Sequence, residues 1–269
     1  MTNIWPGRVP KQLRDMRVTD NRRLGSRYAL LTLHTADSKP LPPALPGQFV
    51  QVSAGQPDGT LLRRPISIND CVPQAGMMQL LVADAGRVTR HLVNAGVGDI
   101  VNILTPLGQS WPQDIESGTR VVLCGGGVGI APIFFYGKWL SERGIIPEFV
   151  LAARTASDLL LLDRFREIGT VHICTDDGSM GTKGFAHQSP ALAAGTGKRQ
   201  LWCVCGPAPM MKAIARVARA SGVECYVSLE NMMACGLGAC LCCVEKTVSG
   251  NVCVCTNGPV FNIEDLTWE

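Results

Sequence analysis

Glu230-Asn-Met-Met-Ala-Cys235-Gly-Leu-Gly-Ala-Cys240-Leu-Cys-Cys243, followed downstream by Val252-Cys253-Val254-Cys255, is the stretch that decides the reading of this chain. Cys235, Cys240 and Cys243 stand as C-x4-C-x2-C, and Cys253 and Cys255 follow a Ser249-Gly250-Asn251 turn. That is the plant-type spacing of a [2Fe–2S] cluster, in which four thiolates hold two irons. Gly236 and Gly238 suit a backbone curled around such a group, because glycine accepts positive φ and permits close approach. Three other readings compete. Disulfides would need an oxidising compartment. A zinc knuckle usually shows two short C-x2-4-C pairs, whereas here one triplet precedes a hairpin. Buried inert thiols are the common fate of a lone cysteine, but they do not cluster this densely.

The fourth ligand is Cys253 or Cys255. On an extended strand both share a face, so alternation does not separate them. A two-residue turn at Ser249-Gly250 would set Cys243 opposite Thr256, next to Cys255. Cys255 also precedes Asn257-Gly258-Pro259, a turn that can fold the chain back over the site. The expected ligands are therefore Cys235, Cys240, Cys243 and Cys255. Cys242 reads as a bystander, pointing away if its segment is extended.

Outward from this stretch, the chain has 269 residues, enough for two domains and a small third one. With 46% hydrophobic and 17% charged residues it can bury a sizeable core. A net charge of +3 is too weak to argue for nucleic acid or a membrane surface. There is no apolar run of transmembrane length and no signal-peptide core at the N-terminus, so the expectation is a cytoplasmic protein. In that compartment 12 cysteines read as metal ligands and buried thiols.

Residues 12–108 carry short apolar runs broken by Gly and Pro: Tyr28 to Leu33, Gln48 to Val52, Leu61 to Ile68, Met78 to Val82. Such spacing predicts a small antiparallel β-barrel. The loop Lys39 to Gly47, rich in proline, is not helical and leads into the strand at Gln48. Leu62-Arg63-Arg64-Pro65-Ile66-Ser67-Ile68 places a cation and a hydroxyl on either side of a proline that cannot donate to the ladder. Taken alone, the tetrapeptide Arg64-Pro65-Ile66-Ser67 reads as an edge strand with solvated arginines.

From Arg120 the period changes. Val121 to Leu123 reads as a strand, Cys124-Gly125-Gly126-Gly127-Val128-Gly129 as a turn, and Ile130 to about Arg143 as a helix. Further strands are expected at 149–152, 171–174, 201–204 and 224–227, with helices at 158–168 and 209–220. This alternation means a parallel sheet with crossovers. The glycine run is neither G-x-G-x-x-G, since Ile130 replaces the last glycine, nor a G-x-x-x-x-G-K-[ST] loop. Its position after the first strand is what suggests a pyrophosphate site.

Arg64-Pro65-Ile66-Ser67 ahead of this glycine run resembles the flavin-binding element of the ferredoxin-NADP reductase family. The resemblance implies that Arg64 meets the FAD pyrophosphate, a charge-assisted contact, and that Ser67 lies against the isoalloxazine. It implies a second FAD element at Leu81, Val82, Ala83, Gly86, Val88 and Thr89. There the family often carries an aromatic and an Arg in place of Val82-Ala83, and Arg87 or Arg90 is the candidate replacement cation. Gly-Gly-Gly-Val-Gly-Ile-Ala-Pro-Ile resembles the family's pyridine-nucleotide loop, which points to Gly125, Gly126, Gly127 and Gly129, with Cys205 and Gly206 in a later loop. NAD against NADP is left open, since Arg154 could hold a 2′-phosphate, cap a helix or face water.

The order of modules, with Asp176-Asp177-Gly178-Ser179-Met180-Gly181-Thr182-Lys183-Gly184 and Val254-Cys255-Thr256-Asn257-Gly258-Pro259-Val260-Phe261, resembles the electron-transfer subunits of type B dihydroorotate dehydrogenases. This second resemblance supports Cys255 independently of the hairpin. It implies an FAD barrel over 1–112, an NAD-binding α/β domain over 113–229 and a [2Fe–2S] module over 230–269. It also implies an FMN-containing catalytic partner that oxidises dihydroorotate, in a heterotetramer of two chains of each kind, and no acid–base residue for that oxidation here. The nearest alternative is an NAD(P)H–ferredoxin oxidoreductase or a diaphorase subunit of a hydrogenase or sulfide dehydrogenase. A zinc-stabilised scaffold is the alternative of another class. His34, His91, His172 and His187 form no ligand pattern and read as surface or satisfied polar groups.

Overall fold

The computed structural model describes residues 9–53, 59–193 and 199–268. Six antiparallel strands form the first unit: β1 (Gln12–Leu24), β2 (Tyr28–Thr35), β3 (Phe49–Ser53), β4 (Arg64–Val72), β5 (Met77–Ala83) and β6 (Ile100–Leu107). They close into a barrel in the order β1-β2-β5-β4-β3-β6. Alternation along each strand sends Met16, Leu31, Leu33, Val50, Val52, Met78, Leu80 and Ile103 into its core. Helix α1 (Arg87–Val93) plugs one end with Val88, Leu92 and Val93. The expected strand from Leu61 starts only at Arg64; Leu61 and Leu62 are exposed, and the strand instead continues to Val72.

The second unit is a parallel sheet of β7 (Arg120–Gly126), β8 (Glu148–Ala153), β9 (Thr170–Thr175), β10 (Thr182–Lys183), β11 (Gln200–Cys205) and β12 (Glu224–Ser228). Its order is β10-β9-β8-β7-β11-β12. Helices α2 (Ile130–Ser141) and α4 (Ala208–Ala220) are crossovers at the expected places. The helix expected over 158–168 is not formed as such. Leu161 takes a left-handed φ of 55° while Leu160 and Leu161 turn into the core, leaving only a short α3 (Leu162–Arg166).

The two units are fastened by ions. Asp70 on β4 is buried and receives Lys138 Nζ of α2 at 2.9 Å from both carboxylate oxygens, with Arg164 of α3 at 3.7 Å.

The tail forms a hairpin, β13 (Val244–Thr247) and β14 (Gly250–Cys253), a helical turn α5 (Val254–Asn257), and β15 (Val260–Asn262). β15 pairs antiparallel with β12, extending the sheet by one edge strand. Cys243, Val254 and Cys255 consequently share one apolar cluster with Val204, Val227, Phe49 and Leu107. The tail is thus wedged between barrel and sheet. Among the described residues no helix is long and apolar enough to cross a membrane.

Candidate functional site: a cysteine loop, a barrel strand and a glycine-lined pocket

Residues 229–243 have no regular strand or helix, and the sulfurs collect backbone N–H groups instead. Leu237 N–H points at Cys235 Sγ (3.3 Å), Gly238 N–H at Cys255 Sγ (3.2 Å) and Cys255 N–H at Cys243 Sγ (3.4 Å). Donors aimed at sulfur favour the thiolate, the form that binds metal. Gly236 and Gly238 make the necessary turns with φ of 69° and 82°. Side chains would not fit there: a Cβ on Gly236 would sit 2.8 Å from Gln51 Cγ, and one on Gly238 2.9 Å from Thr256 Cγ2.

Among the described residues no three Cys, His, Asp or Glu side chains converge as a ready-made metal-ion site. Of the thiols here, Cys235 adjoins Cys240, and Cys243 adjoins both Cys255 and Cys253. Burial works against ionisation of Cys235, but the N–H groups of Leu237, Cys240 and Ala239 and the Cys240 thiol outweigh it, bringing its pKa down to about 6. At Cys255 burial comes first, and the Cys243 thiol adds to it, so the group is pushed up to about 12. The remaining buried thiols Cys71, Cys124, Cys174, Cys203, Cys205 and Cys225 are all raised by burial, which makes them inert packing groups.

The hairpin turn falls one residue earlier than expected, which shifts the pairing by two residues. Its turn is Val248-Ser249, with Thr247 opposite Gly250 and Val244 opposite Cys253, so Cys243 lies across from Val254. Nor do Cys253 and Cys255 share a strand face: β14 ends at Cys253 and α5 begins, rotating Cys255 into the interior. Cys253 stays half-buried beside Cys243, and Cys242 is exposed on an irregular segment rather than an extended one.

On the barrel, Arg64, Pro65, Ile66 and Ser67 are all partly exposed at the start of β4. Their neighbour Arg63 is committed, bonding the carbonyls of Gln51 and Asn102 and the Asn102 side chain. Among the described residues Arg64 bonds only the nearby carbonyls of Leu62 and Arg63, leaving its guanidinium available to an anion. The second element is less open. Leu81, Val82 and Val88 are buried, and Ala83 is half-buried. The Thr89 hydroxyl accepts from Ala85 N–H and donates to the Gly86 carbonyl. These residues can offer a ligand backbone, with Gly86 exposed in extended conformation. Of the two candidate cations, Arg90 pairs with Asp84 at 3.2 Å, while Arg87 has no salt bridge among the described residues.

The glycine run ends β7 and passes through a single 3-10 turn, Gly127–Gly129, into α2. Close packing explains three of its glycines: a Cβ would meet Ile130 at Gly125, Met210 Sδ at Gly126 and the Cys205 carbonyl carbon at Gly129. Gly127 has φ of 56° and open space before it. That space is a cavity of about 530 Å³ lined by Gly126, Gly127, Ala152, Arg154, Pro207 and Met210, with Tyr28 contributed by the barrel. It lies at the C-terminal ends of β7, β8 and β11, where open α/β sheets bind ligands. Gly206 packs against Gly126 at this rim, and Cys205 is buried beneath it. Arg154 is drawn to Asp158 at 3.6 Å on the cavity wall.

His187, read from sequence as a surface or packing residue, lines the cavity and stacks on Phe185 with ring centroids 6.0 Å apart. Residues 184–188 carry no periodic pattern that would have revealed this.

The C-terminal stretch, residues 230–267, matches the family model described as the iron–sulfur cluster binding domain of dihydroorotate dehydrogenase B. Over most of its length the chain is similar to dihydroorotate dehydrogenase B (NAD(+)) electron transfer subunits. That of Shouchella clausii is 35% identical over 226 residues, covering 82% of this chain and 86% of the relative. That of Lysinibacillus sphaericus is 35% identical over 251 residues, covering 91% and 95%. Among solved structures, a chain of an NADH-dependent reduced ferredoxin-NADP oxidoreductase, studied for flavin-based electron bifurcation, superimposes with a TM-score of 0.82 at 30% identity, covering 94% of this chain and 90% of that one. The ferredoxin reductase of carbazole 1,9a-dioxygenase shares the fold at a TM-score of 0.68 and 23% identity, covering 80% and 67%. With identity at this level along nearly the whole of its relatives, the chain belongs to the family of dihydroorotate dehydrogenase B electron transfer subunits.

Proposed function

We propose that this chain carries electrons from a dihydroorotate-oxidising, FMN-containing partner to NAD+, as the redox adaptor of a cytoplasmic heterotetramer with two chains of each kind. Cys235, Cys240, Cys243 and Cys255 would hold a [2Fe–2S] cluster. Arg64, Pro65, Ile66 and Ser67, with the backbone of Leu81 to Ala83, Gly86 and the start of α1 at Val88-Thr89, would hold FAD. Gly125, Gly126, Gly127 and Gly129, with Cys205 and Gly206, would shape the NAD site. When bound, the cluster supplies one-electron transfer, and FAD gathers single electrons into a hydride for nicotinamide.

The chain's own residues account for how these sites are joined. The observation that carries the reading is the set of three N–H···S contacts onto Cys235, Cys243 and Cys255, made by a loop whose Gly236 packs directly on barrel residues Gln51 and Leu107. Gln109 strengthens the junction, donating Nε2–H to the Thr256 carbonyl at 2.7 Å and its own N–H to the Gly258 carbonyl at 2.7 Å. At the far side Tyr28 of the barrel borders the nucleotide cavity. Gly236 thus packs the cysteine loop on β3 and β6, and β3 in turn pairs with the flavin strand, Gln51 opposite Pro65.

The test is anaerobic reconstitution. The chain mixed with a dihydroorotate-oxidising FMN protein should reduce NAD+ only when dihydroorotate is supplied, and loss of the cysteine-bound iron should abolish this. The similarity to the ferredoxin-NADP oxidoreductase chain favours a second reading, with reduced ferredoxin as donor. Activity with ferredoxin and none with the dihydroorotate-oxidising protein would decide for it.

A further inference from the structure

β3 alternates in what it covers. Val50 and Val52 fill the barrel, while Phe49 faces the cluster of side chains that includes Leu107, Cys243 and Cys255. Gln51 shares the outward side with Phe49. There the cysteine loop closes over it: a methyl built on Gly236 would stand 2.8 Å from Gln51 Cγ and 3.1 Å from Nε2, and 3.1 Å from Leu107 Cδ1. Gln51 is fully buried, and among the described residues neither Nε2 nor Oε1 has a hydrogen-bond partner. Leaving a primary amide buried and unpaired is costly. An amide kept at this cost beneath the loop of Cys235 points to a partner seated in that loop.

We infer that Gln51 is a positioning residue of the iron–sulfur centre, its Nε2–H donating to a sulfur at the Cys235 corner of the cluster. The inference rests on the ligand assignment proposed above. Reduction adds one electron, and one negative charge, to the cluster without any bond being made or broken. A donor aimed at sulfur stabilises the more negative state, so it raises the reduction potential. Gln51 also pairs in register with Pro65 of the flavin strand. The donor is therefore carried on the strand next to the proposed flavin element.

The experiment uses the whole chain, purified anaerobically with its cofactors, as wild type, Gln51→Met (similar volume, no donor) and Gln51→Glu (similar shape, donor replaced by acceptor). Potentiometric titration followed by electron paramagnetic resonance gives the cluster's midpoint, and the flavin absorbance gives an internal control. In Gln51→Met the equilibrium constant for cluster reduction should fall about tenfold, about 59 mV for one electron, with the flavin midpoint unchanged. Gln51→Glu should shift further in the same direction. Wild type labelled with amide-15N glutamine should show a nitrogen coupling to the reduced cluster that Gln51→Met lacks. A loaded cluster with an unchanged midpoint in both variants overturns the inference. So does absence of that coupling in loaded wild type, which decides the matter if neither variant assembles. A wild type without iron would overturn the ligand assignment itself, and this inference with it.

Discussion

Gly238 donates its backbone N–H to Cys255 Sγ across 3.2 Å, tying the loop of the first three cysteines to the end of the hairpin that carries the last. Cys253, two residues earlier, ends β14 half-buried and receives no such donor among the described residues. Replacing Cys255 by Ser should therefore remove the cluster, and Cys253→Ser should leave it. Cys242→Ser, at an exposed position, should also leave it. Iron content and the reduced-state paramagnetic spectrum of each variant check this.

Gly236→Ala combines a strained backbone with a clash. Its φ of 69° costs an L-residue about 1–2 kcal/mol. The added methyl would also press on Gln51 at 2.8 Å. The variant should lose thermal stability and bind less than the full complement of iron, read by calorimetry and metal analysis.

Gly127→Ala should behave differently. Among the described residues nothing beyond its chain neighbours lies within 4 Å of the new methyl, and Gly127 itself lines the cavity. Its φ of 56° costs about 1–2 kcal/mol. The larger effect should be on the nucleotide, with a roughly tenfold rise in KM for NADH, equivalent to about 1.4 kcal/mol. Steady-state diaphorase assays with an artificial acceptor measure it.

The arginine that left NAD and NADP undecided is already engaged, since Arg154 lies 3.6 Å from Asp158. A 2′-phosphate would have to compete with that carboxylate. Asp158→Asn should free Arg154 and raise activity with NADPH severalfold, while Arg154→Ala changes KM for NADH less than about threefold, under about 1 kcal/mol. Comparison of kcat/KM for the two nucleotides decides it.

Much of this was legible because it is local. The strand–glycine–helix passage at 120–141 is set by neighbours in sequence and appears where expected, and β4 overlaps the strand expected over 61–68 although it starts only at Arg64. The hairpin register was not local enough. Val248-Ser249 and Ser249-Gly250 are both acceptable two-residue turns, and the choice follows from packing Val254 and Cys255 against Val204 and Phe49. Leu161 breaks the expected helix for a similar reason, the burial of Leu160 and Leu161. His187 and Gln51 were invisible because their significance lies in contacts between distant parts of the chain: His187 shares a cavity with Gly126, and Gln51 packs under Gly236.

Acid should weaken the nucleotide domain through Glu148. Its pKa is held down first by the hydrogen bonds from Arg120 (2.7 Å), against a smaller burial effect, and then by the charges of Arg120 and by His172. A depressed carboxylate stabilises the fold fully above its unfolded pKa, near 4.5, and loses that contribution as pH falls through the lower folded value. Glu148→Gln should therefore be less stable than wild type at neutral pH, and the gap should close below pH about 4. Denaturant midpoints across that range test the sign.

The central claim is that four cysteines near the tail hold two irons beside a flavin on the barrel. Its most direct test is the iron, acid-labile sulfide and flavin content of anaerobically purified chain, read with its visible spectrum. The account predicts a yellow-brown protein with about two irons and two sulfides per chain, and FAD released on denaturation. A colourless protein carrying stoichiometric zinc and no flavin would contradict it.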